Sequence, residues 1–441
     1  MPDCIVIGGG LAGMSAALAL ASAGYQVELW ESRPFLGGRA TSFPYIAANG
    51  EQELIDNCQH ILLRCCVNLL DFYRRLGAQN EIRFYREFTF LEPGGRRSRM
   101  ASGVLPAPGH FAGSFLTLRF LSLADKLAVA RGLLALLRER NHRTDLDDLT
   151  MADWLAGHGQ TPNAVNRFWR PILVSAVNEE LERMAARYGF QVFWLGFLAR
   201  RDAYEMGVPN VRLGELYAER RWERFANVTL RLRAPVERVV TDGRRVRAVI
   251  ARGVEHRADF YISAVPFERF TALGAGLPLE CSAFQHSPIT SIHLWFDRSV
   301  TALPHAALLD RTIQWFFNKR DGRYLQLVVS ASRALAAQPR EEIIRMALAE
   351  LSEFLPGVRG ARLEKAHVVK EMRATFSAAP GLESRRPRAE TALENFFLAG
   401  DWTATGWPST MEGAVRSGYR AAEAVTLAAG AARRFVLPDI A

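Results

Sequence analysis

The sequence predicts an α/β protein, a Rossmann-like nucleotide-binding domain interleaved with a second domain of mixed sheet and helix. Three observations predict it. Near the start, the apolar run Cys4-Ile5-Val6-Ile7 breaks into Gly8-Gly9-Gly10-Leu11-Ala12-Gly13 and continues as an Ala-rich stretch over 14–23. That is the strand, tight turn and helix of a dinucleotide loop. Near the other end, the apolar run Phe396-Phe397-Leu398-Ala399 closes on Gly400-Asp401. Between them lie strand-like and helical patterns in a chain of 441 residues, long for a single core.

The glycines have separate tasks. Gly8 permits the turn, Gly10 lets the backbone approach a pyrophosphate, and Gly13 lets helix and strand pack closely. The phosphates are expected on the free N–H groups of the helix start, at Leu11 and Ala12, where the dipole favours negative charge. Residues 26–30 read as the next strand. Glu31 ends it at the spacing of an acid that accepts hydrogen bonds from a ribose 2′-OH. Ser32 and Arg33 follow. Gly37-Gly38-Arg39 then brings backbone close under a diphosphate, with a guanidinium fork for its oxygens.

G-x-G-x-x-G, then Glu, then R-x-x-x-G-G-R-x-x-S resembles the opening shared by flavin amine oxidases and phytoene-desaturase-like enzymes. The resemblance implies FAD. It further implies that the Val236 backbone meets the adenine and that Asp401 accepts from the ribityl chain. A helix opening at Thr410, Met411 and Ala414 would point its N-terminus at the flavin ring and stabilise the reduced anion. No cysteine lies in that stretch, so non-covalent FAD is expected. The FAD-binding domain is assigned to 1–62, 225–272 and 392–430. The substrate domain takes 63–224 and 273–391, including a mostly helical apolar part at 104–200.

Residues 54–63, Leu-Ile-Asp-Asn-Cys-Gln-His-Ile-Leu-Leu, set a polar cluster between apolar flanks. It either faces the flavin or caps a helix whose apolar face is Leu62, Leu63, Leu69 and Leu70. The segment is similar to that of the squalene-associated FAD-dependent desaturases, also called hydroxysqualene dehydroxylases. That resemblance implies reductive loss of an allylic hydroxyl, giving squalene for hopanoid synthesis. Hydroxide is a poor leaving group, so a proton donor is required, with His60 the first candidate and Asp56 the second. The alternatives are a carotenoid-type desaturase, an amine oxidase and an isomerase that keeps FAD reduced. An amine oxidase needs an aromatic cage and a Lys-held water, and lysine occurs only at 126, 319, 365 and 370. Gly274-Ala275-Gly276 follows no strand, so no nicotinamide domain is expected and the redox partner is external.

Along the rest of the chain, 122–138 and 163–181 read as helices, and 190–198 is dense in aromatics that suit a core or an isoprenoid cavity. Residues 228–233, 236–240, 246–251 and 256–264 read as strands, the last two as a pair. A second sheet is expected from 289–298, 313–318, 324–330 and 368–375, with a helix over 340–354. The net charge of +9 comes from scattered arginines with no aromatic interleaving, which argues against nucleic acid. Five cysteines without a C-x-x-C pair suit a reducing compartment. No leader pattern and no apolar run of about 18 residues is visible, so the expected location is cytoplasmic. Residues 104–138 are apolar and dotted with Arg and Lys; they read equally as core or as a peripheral contact with the inner membrane face. No metal site is expected.

Overall fold

A computed structural model describes residues 1–46, 50 and 52–440. Its central sheet is parallel, in the order Val228–Arg231, Gln26–Trp30, Asp3–Ile7, Phe260–Ser263, Phe396–Leu398. The first strand is apolar at every position from Cys4 because both faces are covered. Cys4 and Val6 enter a core shared with the helices Leu11–Ser22 and Met411–Ala428, while Ile5 and Ile7 enter the core on the opposite face. Those two helices cross at Gly418, where a Cβ would stand 2.1 Å from the Ala12 carbonyl oxygen.

Residues 256–264 do not form one strand. Val254–His256 completes a small antiparallel sheet with Val246–Ala251 and Val236–Thr241, and Phe260–Ser263 crosses into the parallel sheet. The polar break Arg257-Ala258-Asp259 separates them. There, Asp259 N donates to Asp3 Oδ1 at 2.6 Å and Asp3 N returns a bond to Asp259 Oδ2 at 3.1 Å.

The second domain is built on a seven-stranded sheet ordered Leu363–Phe376, His286–Phe296, Tyr324–Val329, Trp315–Arg320, His305–Leu308, Glu87–Leu91, Arg97–Ala101. Ile292, Leu294, Leu325 and Leu327 on one face pack with Ile343, Ala347 and Leu351 of helix Arg340–Phe354. The alternate residues take the opposite face: Trp315 and Phe317 enter the core there and Lys319 reaches Asp56.

The helix Leu123–Glu139 starts at a Ser122/Asp125 capping box. It buries Ala128, Val129, Gly132 and Leu136 and leaves Leu123, Leu127 and Leu134 exposed, so both readings of 104–138 describe part of it. Among the described residues no helix is long and apolar enough to cross a membrane. The expected helix over 163–181 is broken into Pro162–Ala164, a π turn at Val165–Trp169 and Arg170–Val177, and ends where Asn178 turns left-handed at φ 59. Pro171 lacks an N–H and its ring would clash with the carbonyl four residues back, which the wider turn accommodates. Helix Val67–Leu76 and residues Leu213, Leu216 and Tyr217 were assigned by sequence to the substrate side. They pack instead in the core of the nucleotide unit.

Candidate cofactor and substrate site

The glycines of the first loop are fixed by backbone contact. Gly8 sits at φ +111, and a Cβ at Gly13 would lie 1.9 Å from Gly8 O. Gly37 N donates to Gly9 O at 2.9 Å, which lays the Gly37-Gly38 turn against Gly10. Helix Leu11–Ser22 begins at Gly10 with no capping side chain and no acid in its first turn. The N–H groups at Leu11, Ala12 and Gly13 are therefore open to an anion, as a pyrophosphate requires.

Glu31 is buried at the end of its strand. Its carboxylate accepts from Gly9 N at 2.8 Å, Arg33 N at 2.8 Å and Ser32 Oγ at 3.0 Å. That leaves about one of its roughly four lone-pair positions open. Ala234 N donates to Glu31 O at 2.9 Å, so the strand beginning at Val236 leaves from the same corner.

Arg39 and Asp401, 362 positions apart, form an ion pair, and Ser409 Oγ donates to the second Asp401 oxygen. Gly400 at φ +135 donates its N–H to Ser417 Oγ at 2.8 Å, tying the turn to the last helix. Thr410 caps that helix by accepting from Gly413 N at 3.1 Å, and Met411 and Ala414 are half-buried on its open side. Asn57 Nδ2 donates to Arg39 O, while Asn57 Oδ1 is buried with no partner among the described residues. An orphaned acceptor beside the uncapped helix and the Arg39–Asp401 pair fits a ligand rich in hydroxyl and N–H donors, as FAD is.

The helix expected to carry Leu62, Leu63, Leu69 and Leu70 begins only at Val67 and has no side-chain cap, so the 54–63 cluster does not cap it. The chain is a strand at Gln52–Asp56 and a short strand at Leu62–Leu63, and the polar residues occupy the turn between. His60 Nδ1 lies 3.1 Å from Cys58 O. A carbonyl only accepts, so Nδ1 carries the hydrogen and Nε2 keeps its lone pair. Burial lowers the His60 pKa, the Arg39 and Lys319 charges adding to it against the opposing pull of the Cys58 hydrogen bond and Asp56, so the ring is neutral at pH 7.

Asp56 accepts from Ser42 Oγ at 2.7 Å, Leu213 N at 3.0 Å and Lys319 Nζ at 3.2 Å. Engaged on both oxygens beside a cation, it is an acceptor, and its expected role as second proton donor is revised accordingly. Lys319 also donates to Gln59 Oε1 at 2.9 Å. Scarcity of lysine therefore did not keep one away from this cluster. The available signal was its place, two residues beyond the apolar Trp315-Phe316-Phe317 of a sheet strand.

Next to this turn lies an apolar cavity of about 170 Å3. Its wall includes Ile61, Leu62, Phe88, Ile172, Val192, Phe197 and Trp315, and it reaches Thr410 and Met411. The aromatic stretch at 190–198 thus lines the cavity as well as the core. Glu412, also in the wall, is fully engaged: it accepts from Leu69 N at 2.7 Å, Asn68 Nδ2 at 2.9 Å and Arg416 Nε at 2.7 Å. Among the described residues no group of three His, Cys, Asp or Glu side chains is placed to hold a metal.

A nucleotide cradle at a bare helix start, opposed across one turn by an apolar cavity, defines a flavoprotein oxidoreductase. The family model described as flavin containing amine oxidoreductase matches residues 11–426, and the chain belongs to that family, with FAD as its cofactor. The probable zeta-carotene desaturase of Synechococcus elongatus is 29% identical, covering 95% of this chain and 98% of the relative. The 15-cis-phytoene desaturase of the same organism is 27% identical over 95% of each. Among solved structures, an oxidoreductase from Methanosarcina mazei aligns with a TM-score of 0.72 at 18% identity, over 94% of this chain and 98% of that one. Putrescine oxidase aligns with a TM-score of 0.67 at 17% identity, over 96% and 98%. At these identities the two structures share the fold.

Proposed function

We propose that the chain carries out FAD-dependent desaturation of a long, apolar isoprenoid. The observation that supports this best is the cavity, whose wall is mostly apolar, with Phe88, Ile172, Val192 and Phe197 in it, and which reaches the start of the last helix at Met411. Bound in its cradle, FAD supplies a two-electron acceptor for a hydride from an allylic C–H. The adjacent carbon must lose a proton, and the His60 Nε2 lone pair is the group to take it. Burial, with the Arg39 and Lys319 charges adding to it, keeps the ring neutral and ready. Gly8, Gly10, Leu11, Ala12 and Gly13 would hold the pyrophosphate with Gly37, Gly38 and Arg39. Glu31, Ser32, Arg33 and Val236 would hold the adenosine end, and Gly400, Asp401, Thr410, Met411 and Ala414 the flavin end. Relatives named as zeta-carotene and phytoene desaturases support the oxidative direction.

A second reading, reductive dehydroxylation of hydroxysqualene, is favoured by the resemblance of the 56–63 segment, taken with the apolar 104–137 stretch, the Pro209 loop and the chain length. It needs an acid at the leaving hydroxyl, and a neutral His60 with its one N–H on Cys58 O is poorly suited to that. Anaerobic single turnovers separate the two. Desaturation predicts that the oxidised protein bleaches with phytoene or zeta-carotene and lengthens the polyene. If only the reduced protein reacts, with hydroxysqualene, and releases squalene, the second reading replaces the first. Either way the redox partner is external. Exposed Leu116, Leu123, Leu127 and Leu134 beside Arg131 and Arg138 suit loading from a bilayer surface. Co-sedimentation with anionic vesicles, weakened by Leu123→Ser/Leu127→Ser, checks that contact.

A further inference from the structure

Arg385, Arg386 and Arg388 stand close together in the sequence, and arginine is rarely buried unless it is paired. Arg385 and Arg388 are exposed, whereas the Arg386 side chain is fully buried. It follows the short 3-10 turn Glu383–Arg385, with its own backbone extended at φ −72 and ψ 125.

Each terminal nitrogen of its guanidinium has two hydrogens to give, and both are used. One nitrogen donates to Glu383 Oε2 at 2.6 Å and Trp407 O at 2.7 Å. The other donates to Asp401 O at 2.7 Å and Thr405 Oγ1 at 2.9 Å. Glu383 supplies the counter-charge that a buried cation needs. It also accepts from Tyr188 Oη at 2.8 Å, and Tyr188 belongs to helix Ala186–Phe193, which enters the wall of the apolar cavity at Gln191 and Val192.

Asp401, Thr405 and Trp407 lie on one stretch, 401–409, that runs into the last helix. Its first residue carries the carboxylate paired with Arg39 and Ser409, and Trp407 lines the apolar cavity. Pro387 O accepts from Ala404 N at 2.7 Å, so main chain and side chain grip the same stretch. Without the guanidinium, Asp401 O, Trp407 O and Thr405 Oγ1 would lose a charged donor, and the chain would have to move to satisfy them. An ammonium, with its hydrogens on a single nitrogen, cannot span both sides of that fork.

We infer that Arg386 is a positioning residue for FAD: by fixing 401–409 it sets the place of the Asp401 carboxylate and so the affinity for the cofactor. The inference rests on Asp401 meeting the flavin end and is independent of both substrate readings.

Arg386→Lys, Thr405→Val and Asp401→Ala, each purified with FAD, test this. FAD retained by the holoprotein is measured by ultrafiltration over a dilution series, and folding by circular dichroism and melting temperature. Arg386→Lys is expected to weaken FAD binding by about tenfold, and Thr405→Val, which removes one acceptor, by about threefold. A residue that only supports the fold would lower the melting temperature and leave FAD affinity as in wild type. That result, with Asp401→Ala still weakening FAD, overturns the inference and leaves the reading of Asp401 standing. If Asp401→Ala holds FAD as wild type does, the reading of Asp401 fails and the inference falls with it. Should Arg386→Lys not fold, Thr405→Val decides by the same criterion.

Discussion

In the cofactor cradle, residue identity is dictated by contacts between main chains: a Cβ at Gly13 would stand 1.9 Å from Gly8 O, and one at Gly418 2.1 Å from Ala12 O. In the substrate cavity, Ile172, Val192 and Phe197 contribute shape alone, and another apolar side chain of similar volume would serve. The cradle therefore tolerates almost no change, while the cavity can drift in length and width as substrates change.

Perturbations should fall in the order this contrast sets. Gly13→Val should have the largest effect, giving protein that retains less than a tenth of the flavin absorbance of wild type; a yellow, stable variant would break the distinction. Asp401→Ala should come next. It leaves Arg39 without its carboxylate and should weaken FAD binding by about 1.5–3 kcal/mol, measured by titrating apoprotein.

Burial holds the His293 pKa down to about 3. Above pH ~6.5 the ring is neutral folded or unfolded. Below it the unfolded chain gains a proton that the folded chain refuses, so stability falls with pH. Between about pH 6.5 and 5 the loss should be about 2 kcal/mol, read from urea midpoints, and His293→Gln should remove it. His60, lowered for the same chief reason, should leave turnover flat above pH ~6.5, with the loss of its basic Nε2 only at more acidic pH. Smallest of all, Ile172→Val should cost about 0.5–1.5 kcal/mol in stability and leave FAD binding unchanged, while shifting preference among chain lengths.

The same contrast explains what could be read in advance. The strand, tight turn and helix around Gly8 and the Gly37 turn were legible because a turn at positive φ constrains residue type at fixed spacing. The path of 256–264 was not, because Val254–His256 and Phe260–Ser263 have the same apolar character and only long-range pairing assigns them to different sheets. The break of 163–181 depended on how the chain absorbs Pro171. For Lys319 the strand position was the one local signal, and what sets it apart, the two acceptors Asp56 and Gln59 around it, comes from long-range packing. The assignment of 67–76 to the wrong side failed for the same reason, as Leu69 and Phe72 are apolar residues that would suit either core.

The parallel sheet places residues 396–398 beside 260–263, which in turn lie beside 4–7. During synthesis the opening strand must therefore wait for almost the whole polypeptide to leave the ribosome before its cofactor domain can close. The edge of Cys4–Ile7 stays unpaired until 260–263 emerges, and the edge of Phe260–Ser263 until 396–398 does; chaperone binding to the nascent chain is the natural protection for both.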